Sequence, residues 1–348
     1  MELTRKEYSW TSNGIGFLRL MLAALVILAH APGRGGFDGL GFSLLGPRFG
    51  YGAIAVMGFF TLSGVLITRS WESSKGAKDY FVKRCLRILP GYWVCLIVCA
   101  FVLGPIAWSL AGTTGAYPWT GPDSAVGYVT HNITTKMNQD FIKGLYLMDG
   151  KEQGVNFPLW TIISEFTCYV LTGVAGMVGL SKKHRAGFLV ALVGLTALLL
   201  FKDYRAGFPI GEASRLNHLL SYLIGICAYY YHEKIPLNPL LGWVSIALAV
   251  GSTHVTWLNW LFPFFFGYSV IVLGFLGPVK DIERKADFSY GVYMYGWPMQ
   301  IMLPLVGGTR WGVWPYIGLT VLCVLPLAAL SWYLVERPAL KLKKLFAR

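Results

Sequence analysis

The sequence predicts an all-α fold, a polytopic transmembrane bundle of about ten helices forming a single integral membrane domain over residues 1–348. Three observations predict it. The chain is 55% hydrophobic, with a mean hydropathy of +0.53. Charged residues make up 14% of it, where soluble domains carry roughly 25%. Apolar stretches of spanning length recur along its whole extent, at 14–32, 50–69, 88–111, 157–180, 187–201, 215–231, 240–255, 258–277, 288–306 and 313–334.

The first stretch resembles a secretory signal, with Arg5 and Lys6 ahead of an apolar core and Leu28-Ala29-His30-Ala31 behind it. Its core holds an arginine and runs longer than a signal core, so it is read as a retained span. The stretch at 187–201 is short for a span. The pair at 240–255 and 258–277 is joined by a tight turn near Thr256. No internal repeat and no appended soluble domain is visible.

Basic residues set the orientation. With the N-terminus cytoplasmic, 20 of the 30 Lys and Arg fall in inner segments and nine in outer ones, while Arg19 leans inward. Both termini are then expected in the cytoplasm. The net charge of +13 is thereby spent on topology and membrane lipid, and nucleic acid is excluded as a partner. The six cysteines lie mostly in apolar stretches without a CxxC pair, and the six histidines are scattered. Neither set suggests a metal site.

In the first span, Arg19 and His30 are eleven residues apart. Eleven steps of a helix come to about 1100°, close to three whole turns, and to a rise of about 16 Å. Both side chains therefore lie on one face. Ionisable groups inside a bilayer normally face a polar interior. The span is expected to line a cavity, although Arg19 could equally snorkel to the headgroups and His30 could be a neutral bonded histidine.

The second span, GFFTLSGVLI, carries Ser63. The inner segment that follows holds Lys83, Arg84 and Arg87. Arg84 and Arg87 share a helix face as i and i+3, a fork suited to phosphate or an ordinary positive-inside flank. Tyr80, Phe81, Tyr92 and Trp93 around it are interfacial anchors or an adenine platform. A long outer loop, 112–156, is rich in Gly, Thr, Asn and Asp, with the aromatics Tyr117, Trp119, Tyr128, Phe141 and Tyr146. It is either a sugar-binding surface or a solvated cap.

The fourth span places Glu165 about eight residues from its outer end, flanked by Trp160 and Tyr169. A carboxylate at that depth is protonated, paired with Arg19 or another cation, or turned to water. The ninth span crowds Ser289, Tyr290, Tyr293, Tyr295 and Trp297 ahead of Pro298. It lines a cavity or packs as an interfacial belt. Glu336 and Arg337 close the tenth span at the inner interface.

Taken in order, these motifs resemble membrane acyltransferase family 3, which includes bacterial polysaccharide and lipopolysaccharide O-acetyltransferases. The matches are Arg19 with His30 (the family's R-x10-H), GFFTLSGVLI, FVKRCLRILPGYW with the family's R-x-x-R, LWTIISEFTCY, SYGVYMYGWP and VERPALK. The resemblance covers nearly the whole chain. One position departs from it: many members carry His before a Trp-Pro or similar pair in the ninth helix, and here that residue is Gly296.

The resemblance implies transfer of an acyl group, usually acetyl, from cytoplasmic acyl-CoA to a hydroxyl of an exported or lipid-linked glycan. It makes His30 the catalytic histidine, Arg19 its partner on the donor path, Arg84 and Arg87 contacts to CoA, and Glu165 an acidic residue of the site. Lys83, Arg84, Arg87, Ser63 and Tyr92 are the expected acetyl-CoA-binding set. Trp160, Tyr169, Tyr290, Tyr293 and Trp297 are the expected substrate-binding set. No metal is expected. The rival reading is a proton-coupled transporter or flippase of a glycan or lipid intermediate, in which Arg19, Glu165 and His30 form a proton relay. The missing internal repeat argues against a transporter built from inverted halves.

Overall fold

The computed structural model describes residues 8–37, 50–148, 151–180, 182–205, 210–282 and 286–343. The basic flanks Arg5, Lys6, Arg48, Arg284, Lys285, Lys344 and Arg348, with both chain ends, lie outside the described residues. The fold is all-α. A helix lies under each of the ten apolar stretches. Six helices among the described residues are long and apolar enough to cross a membrane: Ile15–Gly35, Tyr51–Glu72, Ala77–Leu110, Phe157–Met177, Leu258–Leu276 and Val313–Lys341.

The helices are α1 (Ile15–Gly35), α2 (Tyr51–Glu72), α3 (Ala77–Val98), α4 (Gly104–Leu110), α5 (Ala125–Asn132), α6 (Trp160–Met177), α7 (Ala186–Arg205), α8 (Ile210–Tyr230), α9 (Pro239–His254), α10 (Phe262–Leu276), α11 (Ser289–Met302), α12 (Val313–Ser331) and α13 (Arg337–Lys341). A two-residue antiparallel ladder pairs Leu147 with Glu152 and Met148 with Lys151.

The chain forms two compact units. The first comprises Met1–Leu25, Phe42–Phe81 and Thr167–Asp287, and the second Val26–Gly41, Val82–Phe166 and Phe288–Arg348. Helices α1, α3 and α6 each run from one unit into the other.

Within the first unit, α2 and α8 touch backbone to backbone. A Cβ on Gly64 would come 2.1 Å from Tyr222 O, and one on Gly225 would come 2.1 Å from Thr61 O. Small residues allow such close approach, which drives helix pairing where no hydrophobic effect operates. The start of α1 is capped by Asn13, whose Oδ1 accepts from Ile15 N at 3.1 Å. Gly14 N donates to Gly274 O at 2.8 Å, tying α1 to the end of α10.

In the second unit, α3 continues through a π turn (Cys99–Leu103) into α4. The helical run Ala77–Leu110 is 34 residues long, about 51 Å at 1.5 Å per residue. A hydrocarbon core is about 30 Å thick, so one end of this run must project beyond it. A second π turn, Trp332–Glu336, joins α12 to α13. Each π turn ends two residues before a proline, Pro105 or Pro338. Proline has no N–H for the carbonyl four residues back, and its ring clashes there; a wider turn relieves both.

The segment 112–156 folds onto α3. Tyr117 Oη donates to Ala100 O at 2.7 Å, Tyr92 Oη to Asn132 O at 2.7 Å, and Trp93 Nε1 to Ile133 O at 2.9 Å. From Ala100 to Tyr92 is about 12 Å of helix, so the segment follows α3 for that distance. Asn132 closes the turn at its far end: Oδ1 accepts from Asn138 N at 2.7 Å and Gln139 N at 3.1 Å, and Nδ2 donates to Gln139 O at 2.7 Å. Tyr117, Tyr128 and Tyr146 are buried and Trp119 is exposed. Burial pushes all three phenols up, so they stay neutral. The rings expected to form an exposed sugar platform are mostly the core of this segment.

Candidate active site

His30 and Trp297 meet in the second unit. The His30 ring stands edge-on to the indole, with centroids 5.0 Å apart and planes at 81°. One turn further along α1, Arg34 lays its guanidinium over the same indole at 4.7 Å. Arg34 Nη1 also donates to Gln153 Oε1 at 2.7 Å. The indole is fixed by its own N–H, which donates to Gly154 O at 2.8 Å, and by Phe157, tilted against it at 5.7 Å.

The helices behind this cluster are locked together. Gln300 Nε2 donates to Ile27 O at 2.7 Å, joining α11 to α1, and Tyr316 Oη donates to Gln300 O at 2.6 Å, joining α12 to α11. These groups are buried, where an unmade hydrogen bond would cost about 1–3 kcal/mol. Gly296 faces α1, and a Cβ there would lie 3.0 Å from Ile27 Cγ1. Any side chain at that position would need Ile27 to give by a few tenths of an ångström.

Tyr290 and Tyr293 are buried, with their hydroxyls turned to neighbouring helices. Tyr290 Oη donates to Ile88 O at 3.0 Å. Tyr293 Oη lies 2.5 Å from Thr161 Oγ1 and 3.0 Å from Pro158 O. Glu165, one turn beyond Thr161 on α6, is partly buried. Trp160, also partly buried, stands at the start of the same helix.

Lys83, Arg84 and Arg87 lie on α3, all partly buried. Arg87 Nη1 turns to Glu336 Oε2 at 3.6 Å, with its guanidinium 6.0 Å from the Tyr290 and Trp332 rings. Glu336 is 1% exposed and accepts from Ser331 Oγ at 2.9 Å. It sits at the end of the π turn, and a buried carboxylate requires a counter-charge. Tyr92 also departs from expectation. It is fully buried and its hydroxyl is committed to Asn132 O, so it offers no face for an adenine.

Arg19, Ser63 and Tyr169 belong to the first unit. Arg19 Nη1 pairs with Asp287 Oδ2 at 2.7 Å, with the two side chains 18% and 8% exposed. Ser63 is partly buried on α2. The Tyr169 side chain is buried, and its carbonyl accepts from Tyr80 Oη at 2.9 Å. No group of three or more His, Cys, Asp or Glu side chains is placed to hold a metal among the described residues.

Sequence reasoning missed Asp287, Gln153 and Arg34. Asp287 and Gln153 gave no local signal. Arg34 did, standing four residues after His30, but an apolar span drawn to end at residue 32 left it among the outer flanks. The helix continues through Pro32 to Gly35, which keeps Arg34 on the face of His30.

The chemistry available is a partly buried imidazole, a guanidinium one turn away, and a rigid indole against both. A family model described as an acyltransferase domain matches residues 12–336. The O-acetyl transferase of Shigella phage Sf6 is 27% identical over 94% of this chain and 95% of its own. Nodulation protein 10 of Rhizobium leguminosarum bv. viciae is 28% identical over 95% of this chain and 94% of its own. The probable 4-amino-4-deoxy-L-arabinose-phosphoundecaprenol flippase subunit ArnF of Klebsiella pneumoniae (strain 342) is 26% identical over 32% of this chain and 92% of its own. No solved structure matches. The helices, their motifs and a family model spanning nearly all of them lead to one conclusion: the chain belongs to membrane acyltransferase family 3.

Proposed function

We propose that this membrane acyltransferase moves an acetyl or other short acyl group from cytoplasmic acyl-CoA to a hydroxyl of a cell-surface or lipid-linked glycan, such as a lipopolysaccharide or exopolysaccharide. The observation that carries the reading is His30, held against Trp297 on a membrane helix. Likeness to an O-acetyl transferase over nearly the full length of both chains supports it.

Acyl transfer from a thioester needs a base for the hydroxyl, a cation for the oxyanion, and exclusion of water. Imidazole serves as base near neutral pH. In this reading the chain crosses a bacterial inner membrane about ten times with both ends cytoplasmic. Lys83 and Arg84 meet the CoA phosphates. The pantetheine arm brings the thioester to His30. Glu165, Trp160, Tyr290, Tyr293 and Trp297 wall the acceptor side.

The hydroxyl proton passes to His30 as its oxygen bonds to the acyl carbon. The C–S bond then breaks, the imidazolium returns the proton to the thiolate, and an ester and free CoA leave. The test is incubation of the purified chain with [14C]acetyl-CoA and a lipid-linked glycan fraction from a host lacking it. Label is expected in the glycan, released by mild base as acetate. An unlabelled glycan across short acyl donors would refute the reading. The transporter alternative is raised by the ionisable residues of the spans, and a flippase subunit resembles 32% of the chain. It gives no reason for acyl-CoA to bind.

A further inference from the structure

We infer that Arg34 is a further catalytic residue: the cation that meets the oxyanion when the acceptor hydroxyl adds to the thioester carbonyl at His30. The inference rests on the proposed role of His30 as base. It begins with reach. Arg19 and His30 are eleven residues apart on one helix, a rise of about 16 Å, which an arginine side chain cannot bridge. A carbonyl close enough to His30 to be attacked is therefore beyond Arg19. Arg34 follows His30 by four residues on the same helix, a rise of about 6 Å that places both on one face.

The second argument is charge. Arg19 is neutralised by Asp287 at 2.7 Å. The partners of Arg34 are neutral: the Gln153 amide oxygen at 2.7 Å and the Trp297 ring at 4.7 Å. No carboxylate sits on Arg34 among the described residues, and the neighbouring Glu152 carboxylate turns instead to Gly144 N at 2.8 Å. A partly buried guanidinium without a counter-ion is expensive. Among the described residues its partners leave the guanidinium's charge uncompensated, available to an anion that forms during turnover.

The third argument is preorganisation. Trp297 is pinned through Nε1 to Gly154 O at 2.8 Å, and it contacts both His30 and Arg34. Base and cation are thus set on one rigid plate. A donor already aimed pays no reorganisation when charge develops. As the acceptor oxygen bonds to the acyl carbon, the carbonyl π pair moves onto its oxygen beside Arg34. The pair returns when the C–S bond breaks and the thiolate takes the proton held by His30.

The full-length protein in detergent, with [14C]acetyl-CoA and the lipid-linked glycan fraction, tests this. Arg34→Gln should lower kcat by about 100- to 1,000-fold with both KM values little changed, and Arg34→Lys should recover part of the loss. A raised acceptor KM with unchanged kcat would make Arg34 an acceptor anchor and overturn the inference. Unchanged kinetics would also overturn it. Should Arg34→Gln fail to fold, Arg34→Lys carries the test, since it keeps the charge and loses the planar fork; wild-type kcat in that variant would refute the assignment. His30→Ala run in parallel separates the two claims. If it is inactive while Arg34→Gln is normal, Arg34 alone fails; if it is active too, the proposed function of the site fails.

Discussion

Arg19 Nη1 lies 2.7 Å from Asp287 Oδ2, an ion pair between residues 268 positions apart in the chain. It joins the first membrane helix to the residue just ahead of Phe288, the cap of α11. Within the first unit this pair turns a costly intramembrane charge into a neutral dipole. Asp287→Ala should therefore destabilise the protein by about 3 kcal/mol, because it strands a desolvated guanidinium. The double variant Arg19→Met with Asp287→Leu should recover most of that loss. Thermal unfolding in detergent measures both, and a single variant as stable as wild type would contradict the pairing.

Arg84 and Arg87 should separate in kinetics despite sharing a helix face. Arg87 is bound to buried Glu336, so Arg87→Ala should cost about 3 kcal/mol or more of stability and deplete the protein from membranes. Arg84→Gln should raise KM for acyl-CoA, by about tenfold for a lost charged contact. Membrane yield and initial rates against acyl-CoA concentration measure the two effects. An unchanged KM in Arg84→Gln would contradict the CoA contact.

The contact between α2 and α8 gives a purely structural prediction. Gly225→Ala would place a methyl 2.1 Å from Thr61 O, so the helices must part. A loss of about 2–4 kcal/mol is expected, judged from overpacking and strained backbone contacts. Gly194→Ala meets nothing within 4 Å and should be neutral or stabilising by up to about 1 kcal/mol. Melting temperatures of the two variants side by side check this.

Trp297→Phe keeps a ring beside His30 but removes the bond to Gly154 O. About 1 kcal/mol of ordering is lost with that bond, and small misplacements at a reacting centre are amplified in rate. A fall in kcat of about tenfold or more is expected, with acyl-CoA binding unchanged. Single-turnover transfer of labelled acetyl measures it.

The helices were legible because their signal is local: each apolar stretch predicts its own element, and every one carries a helix. Partnerships were not legible, because they join distant parts of the chain. Nothing around Arg19 points to Asp287, and nothing around Arg87 points to Glu336. The π turn at Trp332–Glu336, which buries Glu336, leaves no mark in the local pattern of apolar residues. Tyr92 was read as a binding surface from its aromatic neighbours. Its hydroxyl is used instead to seat Asn132, a partner supplied by a segment whose own composition suggested solvent. Arg34 shows the cost of ending a helix at a proline. Pro32 lies inside α1, and the turn beyond it holds the charge nearest to His30.

The most direct test of the account is the rate of label transfer from [14C]acetyl-CoA to the lipid-linked glycan by His30→Ala, purified and folded as wild type. The account predicts a rate at the uncatalysed background, with undiminished acyl-CoA binding. Turnover close to wild type in that variant would contradict it.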